Sequence, residues 1–352
     1  MDCLYFILPD LAAGGAERVS ITIARILKKR GFNVKFLNLG KADGDMYSWI
    51  VPEFELISFG CSRVLESIPK LYSFMRKNKD ARFFSSREHV NIVNLFCSGL
   101  LHSNVIVRIP NMPKNQLVKG ISGLKALVVK KLNKYLLSNA KHVIAQNQEM
   151  LEQLIEVYDL PSDKVVAINN PIDKEYVLNS ALMASNPFPK GESVFLCVCN
   201  IAYSKGIDVL MKAWPKVTAA ITNAHLYIVG RTNSEYAQII MNQADGLQDF
   251  TFLGFQGNPY PFLKYCNVFV LPSRMEGFPN VVLEAMCFNR PIASTTCVSV
   301  IKDIIKEGRN GYYCPIEDDE ALADCMIKAY SLSNINNNYD LFNEQNLIKI
   351  FS

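Results

Sequence analysis

The chain has 352 residues, a length that fits two domains with separate cores, and its composition is that of a soluble globular protein. It holds no apolar run of 18 or more residues, so no membrane-spanning helix is expected. Net charge is only +4, but residues 89–148 contain no acid while carrying Arg108, Lys114, Lys119, Lys125, Lys130, Lys131, Lys134 and Lys141. Such a stretch is drawn to an anionic membrane surface or a diphosphate-bearing lipid by about 1 kcal/mol per basic residue near the surface. Nucleic acid is excluded as an expected partner, because no recognition motif or aromatic stacking pattern accompanies the charge.

The opening residues, MDCLYFILPD, do not have the pattern of a signal peptide, which predicts a cytosolic protein. Ten cysteines occur without a CxxC pair or clustered histidines, so neither a disulfide frame nor a zinc site is expected. Cys197 and Cys199 fall on one face of a strand-like run and read as reduced core residues.

Residues 2–8 read as a buried strand, followed by the loop Ala12-Ala13-Gly14-Gly15-Ala16-Glu17-Arg18. Val19, Ile23, Ile26 and Leu27 then recur at helical spacing up to a basic last turn and Gly31, and residues 32–39 supply a second strand. Strand, glycine loop, helix, strand is a βαβ unit, whose ligands sit at the carboxyl ends of its strands. Asp43-Gly44-Asp45 has the form of a metal-binding DxD pair, but its setting predicts a turn. Ser85-Ser86-Arg87-Glu88-His89 precedes an apolar helical run to Leu101. Residues 105–109 make a strand ending in the stiff polar loop Pro110-Asn111-Met112-Pro113. A basic amphipathic helix over 124–137 and a helix over 148–157 follow, and residues 180–191, with Pro187 and Pro189, read as an interdomain linker.

The second half repeats the pattern. A strand over 194–199 leads into Asn200, then Lys205-Gly206, and a helix through Trp214. A strand over 225–229 ends at Gly230-Arg231, and Phe252-Leu253-Gly254-Phe255-Gln256 is followed by Asn258-Pro259-Tyr260. The most informative stretch lies between a strand over 266–271 and a helix over 281–287, and reads Glu276-Gly277-Phe278-Pro279-Asn280-Val281-Val282-Leu283-Glu284. Gly277 allows close backbone approach, Pro279 suits a helix opening, and the amides after it offer a site for a phosphate. Glu276 and Glu284 can touch different parts of one ligand. Residues 331–340 are rich in Asn and read as a flexible loop, and 341–351 as a final helix.

The 276–284 stretch resembles the signature of the retaining, nucleotide-sugar-dependent glycosyltransferases of family four. Residues 12–18 resemble that family's GGAER loop, Lys205-Gly206 its Lys-Gly pair, and 252–263 its nucleotide-base loop. The chain departs from the family in having Cys199-Asn200 for Gly-Arg, Ile109-Pro110 for Glu-His, and Val300-Ile301 with Asp303 for a Gly-Pro loop and Glu. The resemblance implies an α/β chain with the GT-B fold, two Rossmann-like domains facing each other over 1–178 and 179–335, and a helix within 336–352 crossing back to the first.

It further implies that Lys205 and the helix amides after Pro279, those of Asn280 and Val281, hold a diphosphate, while Glu284 holds the ribose. Glu276, with the backbone of Gly277 and Phe278, would grip the transferred sugar. Gly14 and Gly15 would line the site, and Asn200, Gly230, Phe255 and Gln256 would serve the nucleotide. His89 is the nearest candidate for a catalytic histidine, and Arg108 and Asn111 would lie on the acceptor side. The implied reaction moves a hexose or N-acetylhexosamine from a UDP-sugar to a lipid-linked saccharide of a bacterial surface polysaccharide, with retention and without a metal or cofactor. The protein is expected on the inner face of the cell membrane. Two other readings remain at this stage: a UDP-sugar epimerase or hydrolase, and a catalytically weak binding subunit of a polysaccharide assembly.

Overall fold

A computed structural model of the chain describes residues 3–12, 14–44, 46–114 and 124–352, the side chains of 124–126 excepted. Ala13, Asp45 and Lys119, with the side chain of Lys125, lie outside the described residues. The chain divides into two compact units, Met1–Pro171 with Phe342–Ser352, and Ile172–Leu341.

The first unit is built on strands β1 (Cys3–Leu8), β2 (Asn33–Asn38), β3 (Glu55–Ser58), β4 (Arg82–Ser85), β5 (Asn104–Arg108), β6 (His142–Ala145) and β7 (Val165–Ala167). They form one sheet in the order β3-β2-β1-β4-β5-β6-β7, with every neighbouring pair parallel. Parallel strands are covered by helices on both faces, which is why β1 reads as an unbroken apolar run. Its register places Phe6 beside both Phe36 and Phe84, and the Phe6 and Phe84 rings lie 4.6 Å apart. Helix Glu344–Phe351 belongs to this unit: Leu347, Ile350 and Phe351 are buried in one cluster with Leu4, Phe6 and Phe36. Strands β3 and β4, with helix Ile68–Lys77, fill a stretch for which no element was expected.

The second unit carries β8 (Ser193–Val198), β9 (Ala224–Val229), β10 (Phe250–Gly254), β11 (Val268–Leu271), β12 (Ile292–Thr295) and β13 (Gly311–Cys314). The order is β10-β9-β8-β11-β12-β13, again all parallel. Its boundaries differ from the expected 178/179 and 335/336. Val177, Ala181 and Phe188 pack into this unit's core, so the presumed linker is part of it. At the other end, Asn337 is tied to Asn289 and to the Arg290 carbonyl, and Tyr339 and Leu341 pack on the same core. The Asn-rich stretch is therefore pinned by hydrogen bonds. Among the described residues no helix is long and apolar enough to cross a membrane.

Candidate functional site

In an open α/β sheet, neighbouring strands whose connections leave to opposite sides create a crevice at their carboxyl ends, where ligands settle. In the second unit that point lies between β8 and β11. Lys205 ends the short 3₁₀ turn Tyr203–Lys205 after β8, and Glu276 follows β11. Lys205 Nζ and Glu276 Oε1 are 2.6 Å apart, and Ser273 Oγ donates to the same oxygen at 2.7 Å. Gly206 makes the approach possible: its φ is +63°, and a Cβ there would lie 2.1 Å from the Pro272 carbonyl oxygen. Burial pulls the Lys205 ammonium down, but the charge and hydrogen bond of Glu276 outweigh it and hold it above its ordinary value. The site therefore contains a charged lysine whose position is fixed by an acid.

Arg274, which the sequence reading passed over, holds the two loops together. The residue is 8 % exposed, and its guanidinium reaches both Asp208 oxygens, at 2.7 and 2.6 Å. It also donates to both Glu317 oxygens and to the Tyr203 carbonyl at 2.7 Å. The Tyr203 ring lies against it at 4.1 Å, and the Arg274 amide donates to the Ser204 carbonyl. The turn bearing Lys205 is thus fastened to the β11 loop by backbone, charge and ring. Hydrogen bonds from Arg274 hold Asp208 and Glu317 below their ordinary carboxylate values, and those two acids in turn hold Arg274 up.

Helix Asn280–Cys287 opens at Pro279 with no side-chain cap. The amides of Asn280 and Val282 bond to the Phe278 and Pro279 carbonyls, and Val281 is an early amide without a carbonyl partner among the described residues. The Phe278 side chain is turned into the core and Glu284 is buried on the same helix. Gly277 is half-buried beside Glu276. Asn200 is exposed just after β8. Gly230 is buried, and a Cβ on it would meet the Cys199 carbonyl oxygen at 1.6 Å, so its smallness serves the packing of two loops. Phe255 is 48 % exposed, with the Arg231 guanidinium 4.7 Å from its ring centroid, while the Gln256 amide donates to the Leu253 carbonyl. Val300 and Ile301, where the resembled family has a Gly-Pro loop, are buried in the core, and Asp303 is exposed.

The first unit has its own divergence point, between β1 and β4. Helix Gly15–Lys29 starts there with Gly14 as its cap. Glu17 on its first turn, 1 % exposed, accepts from Arg87, which follows β4, with Nη2 to Oε2 at 2.9 Å. Neither Glu17 nor Arg87 was singled out from the sequence; the pair joins residues 70 apart. His89 and Asn111 are exposed. Arg108, expected to face the acceptor, is turned inward instead. It is 2 % exposed and donates to Ser86, Gln146 and Asn170. Burial lowers it to about 9, which still leaves a full charge at neutral pH, set among neutral acceptors.

His225 stacks on Tyr227 and bonds to Thr251, a structural setting. Cys197 and Cys199 have their sulfurs 3.8 Å apart, and all ten cysteines are free. Among the described residues no three His, Cys, Asp or Glu side chains gather as metal ligands would.

Comparison with known proteins agrees with this architecture. Residues 13–176 match the model described as Glycosyltransferase Family 4, and residues 192–331 the model described as Glycosyl transferases group 1. An uncharacterized glycosyltransferase of Haemophilus influenzae is 26 % identical over 345 residues, covering 96 % of this chain and 91 % of that one. The Campylobacter jejuni N-acetylgalactosamine-N,N'-diacetylbacillosaminyl-diphospho-undecaprenol 4-alpha-N-acetylgalactosaminyltransferase is 23 % identical, covering 92 % of this chain and 88 % of its own. Among solved structures, Anabaena HepE in complex with UDP-glucose superimposes with a TM-score of 0.74 at 14 % identity, covering 99 % of this chain and 98 % of that one.

Proposed function

The chain belongs to the family-four glycosyltransferases and has their GT-B fold, and on that premise we propose that it transfers a hexose or N-acetylhexosamine from a UDP-sugar to a hydroxyl of a lipid-linked saccharide. The observation that carries this reading is the Lys205–Glu276 pair at the divergence point of the second sheet, followed in the chain by a helix whose Val281 amide has no carbonyl partner among the described residues. HepE binds UDP-glucose on the same fold, and the name of the Campylobacter relative gives it a diphospho-undecaprenol acceptor. Both support a sugar diphosphate on one side and a lipid-linked saccharide of a bacterial surface glycan on the other.

The mechanism follows from where charge grows. As the sugar–phosphate bond breaks, the departing diphosphate gains negative charge, and preorganised donors at that position lower the barrier. Lys205 supplies the cation and the Val281 amide a dipole. Glu276 takes the hydroxyls of the transferred sugar and Glu284 those of the ribose. With the acceptor hydroxyl held on the same face as the leaving group, the phosphate oxygen takes its proton and the anomeric configuration is kept. No protein nucleophile, metal or cofactor enters this scheme. Positioning and charge stabilisation supply the rate.

The acceptor's lipid fits a membrane-surface enzyme on the cytoplasmic face. On helix Glu88–Leu101 every exposed residue beyond the first turn is apolar: Ile92, Phe96 and Leu100. Helix Leu124–Ser138 packs against it and exposes Leu127, Val128, Leu132 and Tyr135 among Lys130, Lys131 and Lys134. Apolar rows beside lysines suit an anionic bilayer, the apolar groups entering the headgroup boundary and the ammoniums meeting phosphates. A cavity of ≈ 40 Å³ between these helices is lined by Ile92, Leu95, Leu136 and Leu137. That volume suits a few waters and is too small for a lipid chain, so this reading rests on the exposed apolar rows and not on the cavity.

The test is incubation of the purified protein with a panel of nucleotide sugars and a membrane lipid extract, followed by mass spectrometry of the lipid fraction. A lipid product one sugar heavier, dependent on one UDP-sugar, is the expected result. Donor consumption without acceptor, or no turnover with any donor, would refute the proposal.

A further inference from the structure

We propose that Arg87, fixed by Glu17 at the divergence point of the first sheet, takes up a phosphate-bearing end of the acceptor; this rests on the transferase reading above. The asymmetry of the pair is the starting point. Glu17 is 1 % exposed and the Arg87 side chain 42 %, so the acid lies within the protein and the base at the surface. A guanidinium has five N–H donors on two usable edges. Glu17 takes the Nε–Nη2 edge. The Nη1–Nη2 edge has no acceptor among the described residues.

That open edge is a bidentate fork of the kind that matches a phosphate, and its rotamer is already set by the bond behind it. Ligand binding need not break the ion pair. Arg87 is also the cap of helix Glu88–Leu101 and provides no side-chain bond to the helix start, so the first amides add positive potential on the same side. The absence of a side chain at Gly14 leaves room for this arrangement: a Cβ there would lie 2.4 Å from Glu17 Oε2 and 2.8 Å from Arg87 Nη2. Two other charges act on the cluster. Asp10, exposed beyond the end of β1, faces Arg87, and the buried Arg108 faces Glu17. With Arg108 behind it, the Glu17 charge is balanced from the interior and does not cancel Arg87 alone.

The donor's diphosphate has the same chemistry as a lipid diphosphate, so the experiment must separate them. The probe is inorganic pyrophosphate, titrated by calorimetry into the full chain carrying Lys205→Met, which silences the lysine of the donor side. Binding should survive in K205M and weaken about tenfold or more when R87Q is added. R87K should fall between, since it keeps the charge and loses the fork. E17Q/R87Q in the same background removes both charges and guards against a fold lost to an unpaired buried acid; it should bind as weakly as R87Q with an unchanged circular dichroism spectrum. UDP affinity should be the same in R87Q as in wild type.

Absence of pyrophosphate binding in K205M, or equal binding with and without Arg87, overturns the proposal. A tenfold loss of UDP affinity in R87Q also overturns it, by giving the guanidinium to the donor. Failure of wild type to bind UDP would strike at the transferase reading and leave the pyrophosphate result to decide this one.

Discussion

Lys205 and Glu276, 71 positions apart in the chain, meet with 2.6 Å between ammonium and carboxylate. Each is assigned its own ligand group, yet before ligand arrives each is the other's partner. The two should therefore act as a unit.

Lys205→Met and Glu276→Gln should each lower kcat about 10²–10³-fold, the usual cost of losing one preorganised group at a developing charge. The double variant should be little worse than either single one, because each already disables the pair. Steady-state transfer assays, with circular dichroism to confirm folding, measure this. Losses that multiply would mean that the two side chains work separately.

Arg274→Met should destabilise the second unit by about 3 kcal/mol, the lower end for a broken buried pair because Glu317 remains half in water. It should also lower kcat, by freeing the turn that carries Lys205. The pH dependence has a definite sign. Asp208 is depressed below its ordinary 3.8 and Glu317 below 4.5, so their stabilisation is complete above those values and is lost as pH falls through the depressed ones. Urea midpoints of wild type and variant should differ at pH 6 and converge on acidification below about pH 3.8.

Gly206→Ala places a side chain at φ +63° and against the Pro272 carbonyl. The expected strain is about 1–3 kcal/mol, relieved by displacing the turn. UDP affinity should fall while the Lys205 side chain is still present. Calorimetric titration of UDP tests it; unchanged affinity would show that the turn tolerates the shift.

Phe96→Ser with Leu100→Ser should reduce sedimentation with anionic vesicles without altering UDP affinity. Burying one such side chain is worth about 1.5–3 kcal/mol, so losing both should weaken binding more than tenfold. High salt should weaken the remaining, lysine-driven part. Equal vesicle binding by the double variant would count against the membrane reading.

The repeated βαβ pattern could be read from the chain because buried parallel strands such as β1 and β11 are nearly continuous apolar runs. The loop containing Glu276 and the helix after Pro279 were legible for a local reason: glycine, proline and acids sit at short, regular offsets. The partners of Arg274 were not legible, since Asp208 and Glu317 lie 66 and 43 positions away and nothing local marks a charge as paired. Arg108 misled in the opposite direction. A basic residue at a strand end looks like a surface group, and only the side chains of Ser86, Gln146 and Asn170 reveal that this one is enclosed. β3 and β4 escaped because each has only four residues and begins and ends on a polar or charged one, Glu55 and Ser58 in one and Arg82 and Ser85 in the other.

The helix Glu344–Phe351 has a consequence for how the chain is made. A ribosome delivers β1 through β7 and then the entire second unit before it delivers Phe351, whose ring lies 5.5 Å from that of Phe84. Until then, the apolar patch around Phe6 and Phe84 lacks the part of its cover that Leu347, Ile350 and Phe351 supply, and the nascent first unit carries a sticky face. Synthesis order thus makes the early half the later one to mature, and chaperones would be expected to hold it longer than its position in the chain suggests.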